Sequence, residues 1–364
     1  MNMTKQMLIT AAVCMPFLIY ITLMTGRSAV FGAIRKKSRA AAICVSLLPA
    51  AGFTVYFFFR PINSAAVLLH LSLISMAFEL VGLIMRAITK CRAGFRVEGV
   101  FAVVCTAVLL VFGTVSASGL TRTAYIVTSD KIASPMRVAQ ISDVHIGAVF
   151  DADGFSRRLG EIQRDKPDLL VVTGDLFDGY SDVGEIKKAC AALGGFEAKY
   201  GVFFVFGNHD VGTPFGKSKL SVEDFVKELE KNGVTVLADE VRELENGVYA
   251  IGRKDRIQSG RADIASLVSE CGSGGFKLVF DHQPNDQRAE AEAGADLVLS
   301  GHTHGGQFFP LGLIGERSGM NEMSYGIRRS GETVFIVTSG ISDWATTFRT
   351  GCFSEYVIVD ILPR

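Results

Sequence analysis

The N-terminal third of the chain contains four apolar stretches, and no other feature constrains its architecture as strongly. They run over residues 7–25, 41–59, 64–85 and 100–118. Each approaches the roughly 20 residues that an α-helix needs to cross a hydrocarbon core about 30 Å thick. One such stretch would suit a buried core helix or a signal peptide. Four in succession, separated by short basic loops, predict a multi-span membrane region over residues 1–120.

Charge is distributed unevenly along the chain, and it predicts the orientation of that region. The first 120 residues carry eleven Lys and Arg residues against two acidic ones, and the rest of the chain carries 26 against 35. Basic residues cluster in the loops after the first and third stretches: Arg27, Arg35, Lys36, Lys37, Arg39, Arg86, Lys90, Arg92 and Arg96. Because such loops stay in the cytoplasm, we predict a multi-pass protein of the cell membrane with its C-terminal domain on the extracytoplasmic side. The acidic balance of that domain argues against a nucleic-acid partner.

The remainder of the chain alternates short apolar runs with helical patterns, which predicts an α/β domain over residues 136–364. Strands are predicted at 137–141, 169–173, 202–206, 235–237, 248–251, 277–280, 297–299, 334–338 and 355–362. Helices are predicted at 153–164, 182–193, 221–232, 261–270 and 285–292. The last two strands have no helix between them, which indicates a sandwich rather than one wound sheet. Residues 121–135 are polar and are predicted to form a juxtamembrane linker.

Five of the predicted strands are followed directly by a short polar cluster. The clusters are Ser142-Asp143-Val144-His145, Gly174-Asp175-Leu176-Phe177-Asp178, Gly207-Asn208-His209-Asp210, Asp281-His282 and Gly301-His302-Thr303-His304. The carboxyl ends of strands in an α/β sheet share one edge, where ligands bind. Five of the six histidines of the chain lie in these clusters. This concentration of imidazoles and carboxylates at one edge predicts a metal site.

The types of candidate ligand restrict the metal and its chemistry. Carboxylate, imidazole and amide oxygen without thiolate suit Mn, Fe or Zn in a reactive site rather than a structural zinc site. The candidates outnumber one ordinary coordination sphere, so we predict two divalent metal ions. A pair of ions suits the in-line displacement of phosphoester hydrolysis.

Taken together, the five clusters resemble the signature of the calcineurin-like metallophosphoesterases. The matching blocks are Asp143-x-His145, Gly174-Asp175-x-x-Asp178, Gly207-Asn208-His209-Asp210, His282 and Gly301-His302-x-His304. The sequence GHTHGGQ over 301–307 is similar to the membrane-anchored bacterial branch of that family. The resemblance implies a four-layer α/β/β/α sandwich preceded by four transmembrane helices.

The resemblance also implies a metal ligand at each of seven matching positions. The first ion would be held by Asp143, His145 and His304, and the second by Asn208, His282 and His302. Asp175 would bridge the two ions, with a hydroxide between them as the nucleophile that attacks phosphorus.

Three further residues receive implied roles around those ligands. His209 would stand at the leaving group as a general acid or as a stabiliser of developing charge. Asp210 would orient the imidazole of His209, and Asp178 would support the ligands from outside.

Neighbouring features leave alternatives open. The apolar residues at 308–314 either face lipid or belong to the core. Arg349 is expected to be a solvated surface residue, although a phosphate contact is the alternative. Trp344 is expected to pack within the domain rather than at a membrane interface.

The expected function is hydrolysis of a phosphomonoester or phosphodiester by a membrane-anchored enzyme, with a lipid-linked or envelope-associated substrate. The alternative is a cytoplasm-facing hydrolase of nucleotides or of a nucleotide-linked lipid, as in a UDP-diacylglucosamine-type pyrophosphatase. A third interpretation is a non-catalytic membrane scaffold. The sequence makes no prediction of the oligomeric state.

Overall fold

The chain divides into two compact units, Met1–Gly113 and Thr114–Arg364. The computed structural model describes residues 3–27, 34, 36–90, 98–179, 181–212 and 219–364. Three basic residues used to predict orientation, Arg35, Arg92 and Arg96, lie outside the described residues.

The first unit is helical in its described part. Its helices are α1 (Met3–Arg27), α2 (Arg39–Ser46), α3 (Leu48–Phe59), α4 (Pro61–Thr89) and α5 (Glu98–Ser118), the last of which continues past the boundary at Gly113. Four segments are long and apolar enough to cross a membrane: Met7–Gly26, Arg39–Phe59, Pro61–Thr89 and Glu98–Ser118. The four predicted apolar helices are therefore confirmed.

Proline and a polar contact shape this helical unit. Pro49 stands in the first turn of α3, where the missing backbone N–H costs least, and Pro61 begins α4 in the same way. Between α1 and α4, the hydroxyl of Tyr20 donates a hydrogen bond of 3.2 Å to Glu79.

The second unit contains two six-stranded sheets among its described residues. The strands are β1 (Thr121–Ser129), β2 (Met136–Ile141), β3 (Leu169–Thr173), β4 (Val202–Val205), β5 (Thr235–Val236), β6 (Glu240–Glu243), β7 (Val248–Gly252), β8 (Phe276–Phe280), β9 (Leu297–Ser300), β10 (Gly326–Ser330), β11 (Thr333–Val337) and β12 (Glu355–Pro363). The first sheet has the order β1-β12-β2-β3-β4-β5, and the second has the order β10-β11-β9-β8-β7-β6.

Helices cover the outer face of each sheet. They are α6 (Ala152–Ile162), α7 (Val183–Gly194), α8 (Val222–Lys231), α9 (Ile264–Ser269) and α10 (Gln287–Ala293). A further short helix, α11 (Leu311–Arg317), follows the loop after β9 and leaves its apolar side chains exposed. Alternate residues of β3 enter different cores: Leu170 packs with Phe155 of α6, whereas Val171 packs between the sheets with Leu278 of β8. On the far side, Val279 of β8 packs with Leu267 of α9. These three cores establish the four layers α/β/β/α.

Residues 121–135 correct one sequence-based prediction. Instead of a linker, residues 121–129 form β1, which runs parallel to β12 from Thr121 opposite Glu355 to Ser129 opposite Pro363. The prediction was wrong because β1 is an edge strand whose side chains are mostly exposed, so its sequence is polar. Two more outer strands, β6 and β10, escaped prediction for the same reason. The remaining predicted strands and helices are confirmed to within three residues.

Candidate metal centre

The candidate ligands lie where the sequence places them, directly after the carboxyl ends of five strands. Loops after β2, β3 and β4 come from the first sheet, and loops after β8 and β9 come from the second. The structure brings six of these side chains into two groups whose ligand atoms lie within 4.8 Å of one another. The first group is Asp143, His145 and His304, and the second is Asp175, His282 and His302.

Asp175 lies between the two groups. Its Oδ2 is 3.2 Å from Nε2 of His282 in the second group and 3.8 Å from Nε2 of His145 in the first. The same Nε2 of His282 lies 3.2 Å from Oδ1 of Asn208, the seventh candidate ligand. One carboxylate oxygen is thus placed to serve both groups.

Backbone carbonyls orient two of the imidazoles. Nδ1 of His282 lies 2.7 Å from the carbonyl oxygen of Thr173, and Nδ1 of His304 lies 3.2 Å from that of Ser342. A hydrogen bond at Nδ1 fixes the ring orientation and leaves Nε2 as the ligand atom. Ser342 and Thr173 were not predicted as functional positions. Every residue type has a backbone carbonyl, so the sequence does not indicate which carbonyls contact a ligand.

The ring of His145 tests whether metal ions fit this site. It is fully buried, and neither of its nitrogens has a hydrogen-bond partner among the described residues. The carboxylate of Asp178 approaches its Nδ1 only to 3.8 Å. Leaving buried polar atoms unpaired costs about 1–3 kcal/mol each, and a cation at Nε2 would remove that cost. Together with the oxygen and imidazole donors around it, this fits a pair of divalent ions.

The pKa values of the buried histidines differ between the two ligand groups and within the second one. Burial lowers the pKa of His145 well below its usual value. Burial, followed by the neighbouring His282, lowers the pKa of His302 to about 3. Burial also acts to lower the pKa of His282, but the Asp175 carboxylate outweighs it and raises this pKa well above the usual value. His145 and His302 are therefore neutral at pH 7, the form that binds metals. His282 is protonated beside Asp175 in the absence of metal, so a metal ion bound there would displace that proton.

Backbone strain concentrates on the same residues. Five of the seven candidate ligands have φ angles in the left-handed region: Asp143 (56°), His145 (41°), Asp175 (56°), His302 (69°) and His304 (50°). Each such conformation costs about 1–3 kcal/mol and persists only where the surrounding structure fixes it. The fold therefore holds the ligand backbone in conformations that the isolated chain would avoid.

Glycines allow the loops to approach one another closely. Gly174 has a φ of 89°, and a Cβ there would lie 2.5 Å from the backbone nitrogen of Gly207 and 2.7 Å from Nδ1 of His282. A Cβ on Gly301 would lie 2.6 Å from Oδ2 of Asp143. Gly305 also lies close to another segment, since a Cβ there would lie 2.9 Å from Sγ of Cys352.

His209 lies beside the ligand groups without belonging to either. The centroid of its ring is 5.0 Å from that of His145 and 5.4 Å from that of Trp344. Trp344 therefore packs within the domain, as expected, and it packs against the ring of His209.

Asp210 contacts different atoms from those expected. Its carboxylate accepts hydrogen bonds from the backbone N–H groups of Asp175 (2.7 Å), Leu176 (2.9 Å) and Gly207 (2.8 Å). It therefore ties the loops after β3 and β4 together instead of orienting the imidazole of His209. The orienting role was inferred from sequence adjacency, but successive residues in a turn point in different directions.

The environment of Arg349 also differs from the one predicted. It is fully buried, where a solvated surface residue was expected, and its guanidinium forms an ion pair of 2.7 Å with the equally buried Asp343. A lone arginine in a segment rich in Thr and Gly carries no signal of burial, because the acidic partner that permits burial is identified only by the fold.

The fold and this arrangement of ligands define a metallophosphoesterase domain. Residues 136–306 match the family of calcineurin-like phosphoesterases. The chain therefore contains a calcineurin-like metallophosphoesterase domain, and it is similar to other proteins named for such a domain. The resemblance stated from the motifs is confirmed.

Three relatives illustrate the range of the similarity. An uncharacterized metallophosphoesterase of Helicobacter pylori is 27% identical over 241 residues, covering 65% of this chain and 62% of that protein. A Danio rerio protein named transmembrane protein with metallophosphoesterase domain is 28% identical over 277 residues, covering 71% and 61%. An uncharacterized metallophosphoesterase of Aquifex aeolicus is 29% identical over 247 residues, covering 65% and 90%. The likeness therefore extends beyond bacteria.

The aligned region is shorter than the first two relatives. The chain spans about three fifths of their length. The family uses a divalent metal centre, and the two ligand groups contain residues of this chain that could bind one.

Proposed function

We propose that this protein hydrolyses a phosphoester at a two-metal centre formed by the seven candidate ligands. The observation that carries the proposal is the position of Asp175 Oδ2 between His282 and His145, the arrangement that a shared ligand requires. Two divalent ions bound there would supply Lewis acidity and a water of lowered pKa. The protein would supply their separation and the orientation of the ester.

His209 is the residue proposed to handle the leaving group. Its ring lies beside His145 but in neither ligand group. Because a ring nitrogen can donate a proton, His209 would protonate the departing oxygen, a contribution of about 10²–10⁴-fold in rate. Trp344 would limit the positions open to the ring.

The substrate class is proposed from the apolar residues that follow His304. Phe308 packs on the ring of Phe348 at a centroid distance of 5.3 Å. The side chains after it are largely exposed: Phe309 (67%), Leu311 (46%), Leu313 (54%) and Ile314 (52%). A concentration of exposed apolar surface indicates an interaction site. In a chain with four potential membrane spans, we assign it to the acyl part of a lipid-linked phosphoester.

The location is also proposed. The basic loops after the first and third spans support a cytoplasmic position for those loops and an extracytoplasmic position for the catalytic domain. The test is a fusion of the C-terminus to a reporter that functions only outside the cytoplasm. A signal from this fusion would support the extracytoplasmic position of the catalytic domain. A signal from a C-terminal reporter that functions only in the cytoplasm would instead support the inward-facing alternative.

Activity can be tested on the full chain purified in detergent or nanodiscs. After loading with Mn²⁺, Zn²⁺ or Fe²⁺, we expect metal-dependent release of product from a phosphomonoester or phosphodiester, with faster turnover of a lipid-linked ester. Turnover of neither ester with any of the three metals would contradict the proposal.

The apolar surface has its own test. Changing Leu313→Ser and Ile314→Ser should slow hydrolysis of the lipid-linked ester in nanodiscs and leave hydrolysis of a soluble ester unchanged. Equal rates on the lipid ester before and after the changes would remove the lipid assignment while keeping the phosphoesterase.

A further inference from the structure

The loop between β11 and β12, residues 338–354, is organised around Arg349. We propose that Arg349, paired with Asp343, is a positioning residue for the first metal ion, the one held by Asp143, His145 and His304. This inference rests on the proposed two-metal centre. It assigns a function to a charged pair that lies outside both ligand groups.

The guanidinium of Arg349 joins distant parts of the loop. Its Nη1 donates to the carbonyl oxygens of Ser339 (3.0 Å) and Phe353 (2.9 Å). Its Nη2 donates to the carbonyl oxygen of Ser342, and its Nε donates to Oδ1 of Asp343 at 2.8 Å. Since three carbonyls and one carboxylate converge on one side chain, the loop has one conformation in which all of them are satisfied.

That conformation directly determines the ring orientation of His304. The carbonyl oxygen of Ser342, which accepts from Arg349, also faces Nδ1 of His304 at 3.2 Å. The thiol of Cys352 donates to the backbone carbonyl of His304 at 2.9 Å. Both the ring and the backbone of this ligand therefore depend on atoms of the loop.

The same loop supports Asp143, a second ligand of the first ion. The backbone N–H of Ile341 donates to the carbonyl oxygen of Ser142 at 2.9 Å. Gly340 packs so closely that a Cβ on it would lie 2.8 Å from Cβ of Asp143. Movement of this loop would directly displace two of the three ligands in the first group. It would reach the second group only indirectly, through the backbone N–H of His302, which donates to the carboxylate of Asp143 at 3.0 Å.

A stability role alone does not explain a fully buried ion pair. Replacing such a pair by apolar residues of similar volume is often neutral or stabilising, because desolvation offsets the attraction between the charges. What an apolar pair cannot reproduce is the planar fork of donors that binds several carbonyls at once, and lysine cannot reproduce it either. Asp343 also balances the charge of Arg349 close to a site that would receive two cations.

The test compares metal affinity at the two positions in the full-length protein. Mn²⁺ bound per chain is measured at graded free Mn²⁺ for the parent, for Arg349→Lys, and for the double change Arg349→Met with Asp343→Leu. In both variants we expect one ion to bind about 10–100-fold more weakly and the other to be weakened much less. The electron paramagnetic resonance spectrum should change from a coupled Mn²⁺ pair to an isolated Mn²⁺ ion.

Arg137→Lys is the control for the loss of an arginine ion pair elsewhere in the domain. Arg137 pairs with Asp360 at 2.7 Å between β2 and β12, away from the ligand groups, although this pair is partly exposed where Arg349 and Asp343 are buried. It should retain two ions at parent affinity. The double change removes both charges, so it serves if Arg349→Lys fails to fold.

The inference would be overturned if either Arg349 variant bound two ions with the parent affinities, or if both ions were weakened equally. It would also be overturned if both variants unfolded, because the role of the ion pair would then be structural. If the parent itself binds fewer than two ions, the proposed two-metal function fails instead.

Discussion

The backbone N–H of His209 donates a hydrogen bond of 2.8 Å to Oδ1 of Asp175. This bond occupies one carboxylate oxygen and turns the other, Oδ2, toward the histidines of both ligand groups. The residue proposed to protonate the leaving group thus also fixes, through its backbone, the ligand proposed to bridge the metals.

Asp175→Asn should abolish binding of both ions while preserving the shape of the side chain. The amide lacks the negative charge that two cations would share, and one of its amide positions would present hydrogens to the metals. We expect the metal content per chain to fall at both positions and phosphoester hydrolysis to drop to the metal-free rate. Asp130→Asn, at an exposed ion pair with Arg364, is the matched control and should behave as the parent. Loss of only one ion would contradict a shared ligand.

His209→Ala should lower turnover in a way that depends on the leaving group. The ring belongs to neither ligand group, so the metal content should not change. For an alkyl phosphoester, which needs protonation of its leaving oxygen, we expect kcat to fall about 10²–10⁴-fold. For a p-nitrophenyl ester, whose leaving group departs as an anion, the fall should be much smaller. Equal losses on the two esters would rule out the general-acid role.

Gly174→Ala should destabilise the protein more than Gly233→Ala, a change at a glycine with a similar positive φ angle. Gly233 has a φ of 78° and open space around a Cβ, so Gly233→Ala should cost about 1–2 kcal/mol in the free energy of unfolding. Gly174 has a similar φ but faces Gly207 and His282, so crowding should bring its total to about 2–5 kcal/mol. Denaturant or thermal unfolding of the purified protein measures both. Similar destabilisation by the two changes would mean that the loops relax around the added methyl group.

Removal of β1 should prevent the second unit from folding properly. A shortened protein that begins at Met136 lacks the nine-residue ladder between β1 and β12, which leaves β12 as an unpaired edge. Exposed edges of this kind pair with other chains. We expect this protein to aggregate and one that begins at Leu120 to remain monodisperse on size-exclusion chromatography. A monodisperse, metal-binding protein that begins at Met136 would show that β1 is dispensable.

Burial and spacing explain which parts of the fold were predictable. Central strands such as β3 are buried on both faces, so they appear as continuous apolar runs in the sequence. Edge strands such as β10, with the sequence GIRRS, bury almost nothing and resemble loops. Helix α11 was missed because its seven residues, five of them apolar or glycine, lack the length that distinguishes a helix from an apolar loop.

The sequence by itself determined the candidate ligands and the apolar helices, because both depend on residue type and spacing along the chain. Imidazoles and carboxylates placed directly after buried strands must meet at one edge of the sheets, whatever the details of packing. Only the tertiary structure decided how those ligands are held. These supporting contacts join segments that are distant in sequence, or they involve backbone atoms. They include the carbonyl oxygens of Thr173 and Ser342, the backbone partners of Asp210, and the buried pair of Arg349 and Asp343. Such contacts depend on the path of the backbone through space, which the order of side chains does not reveal.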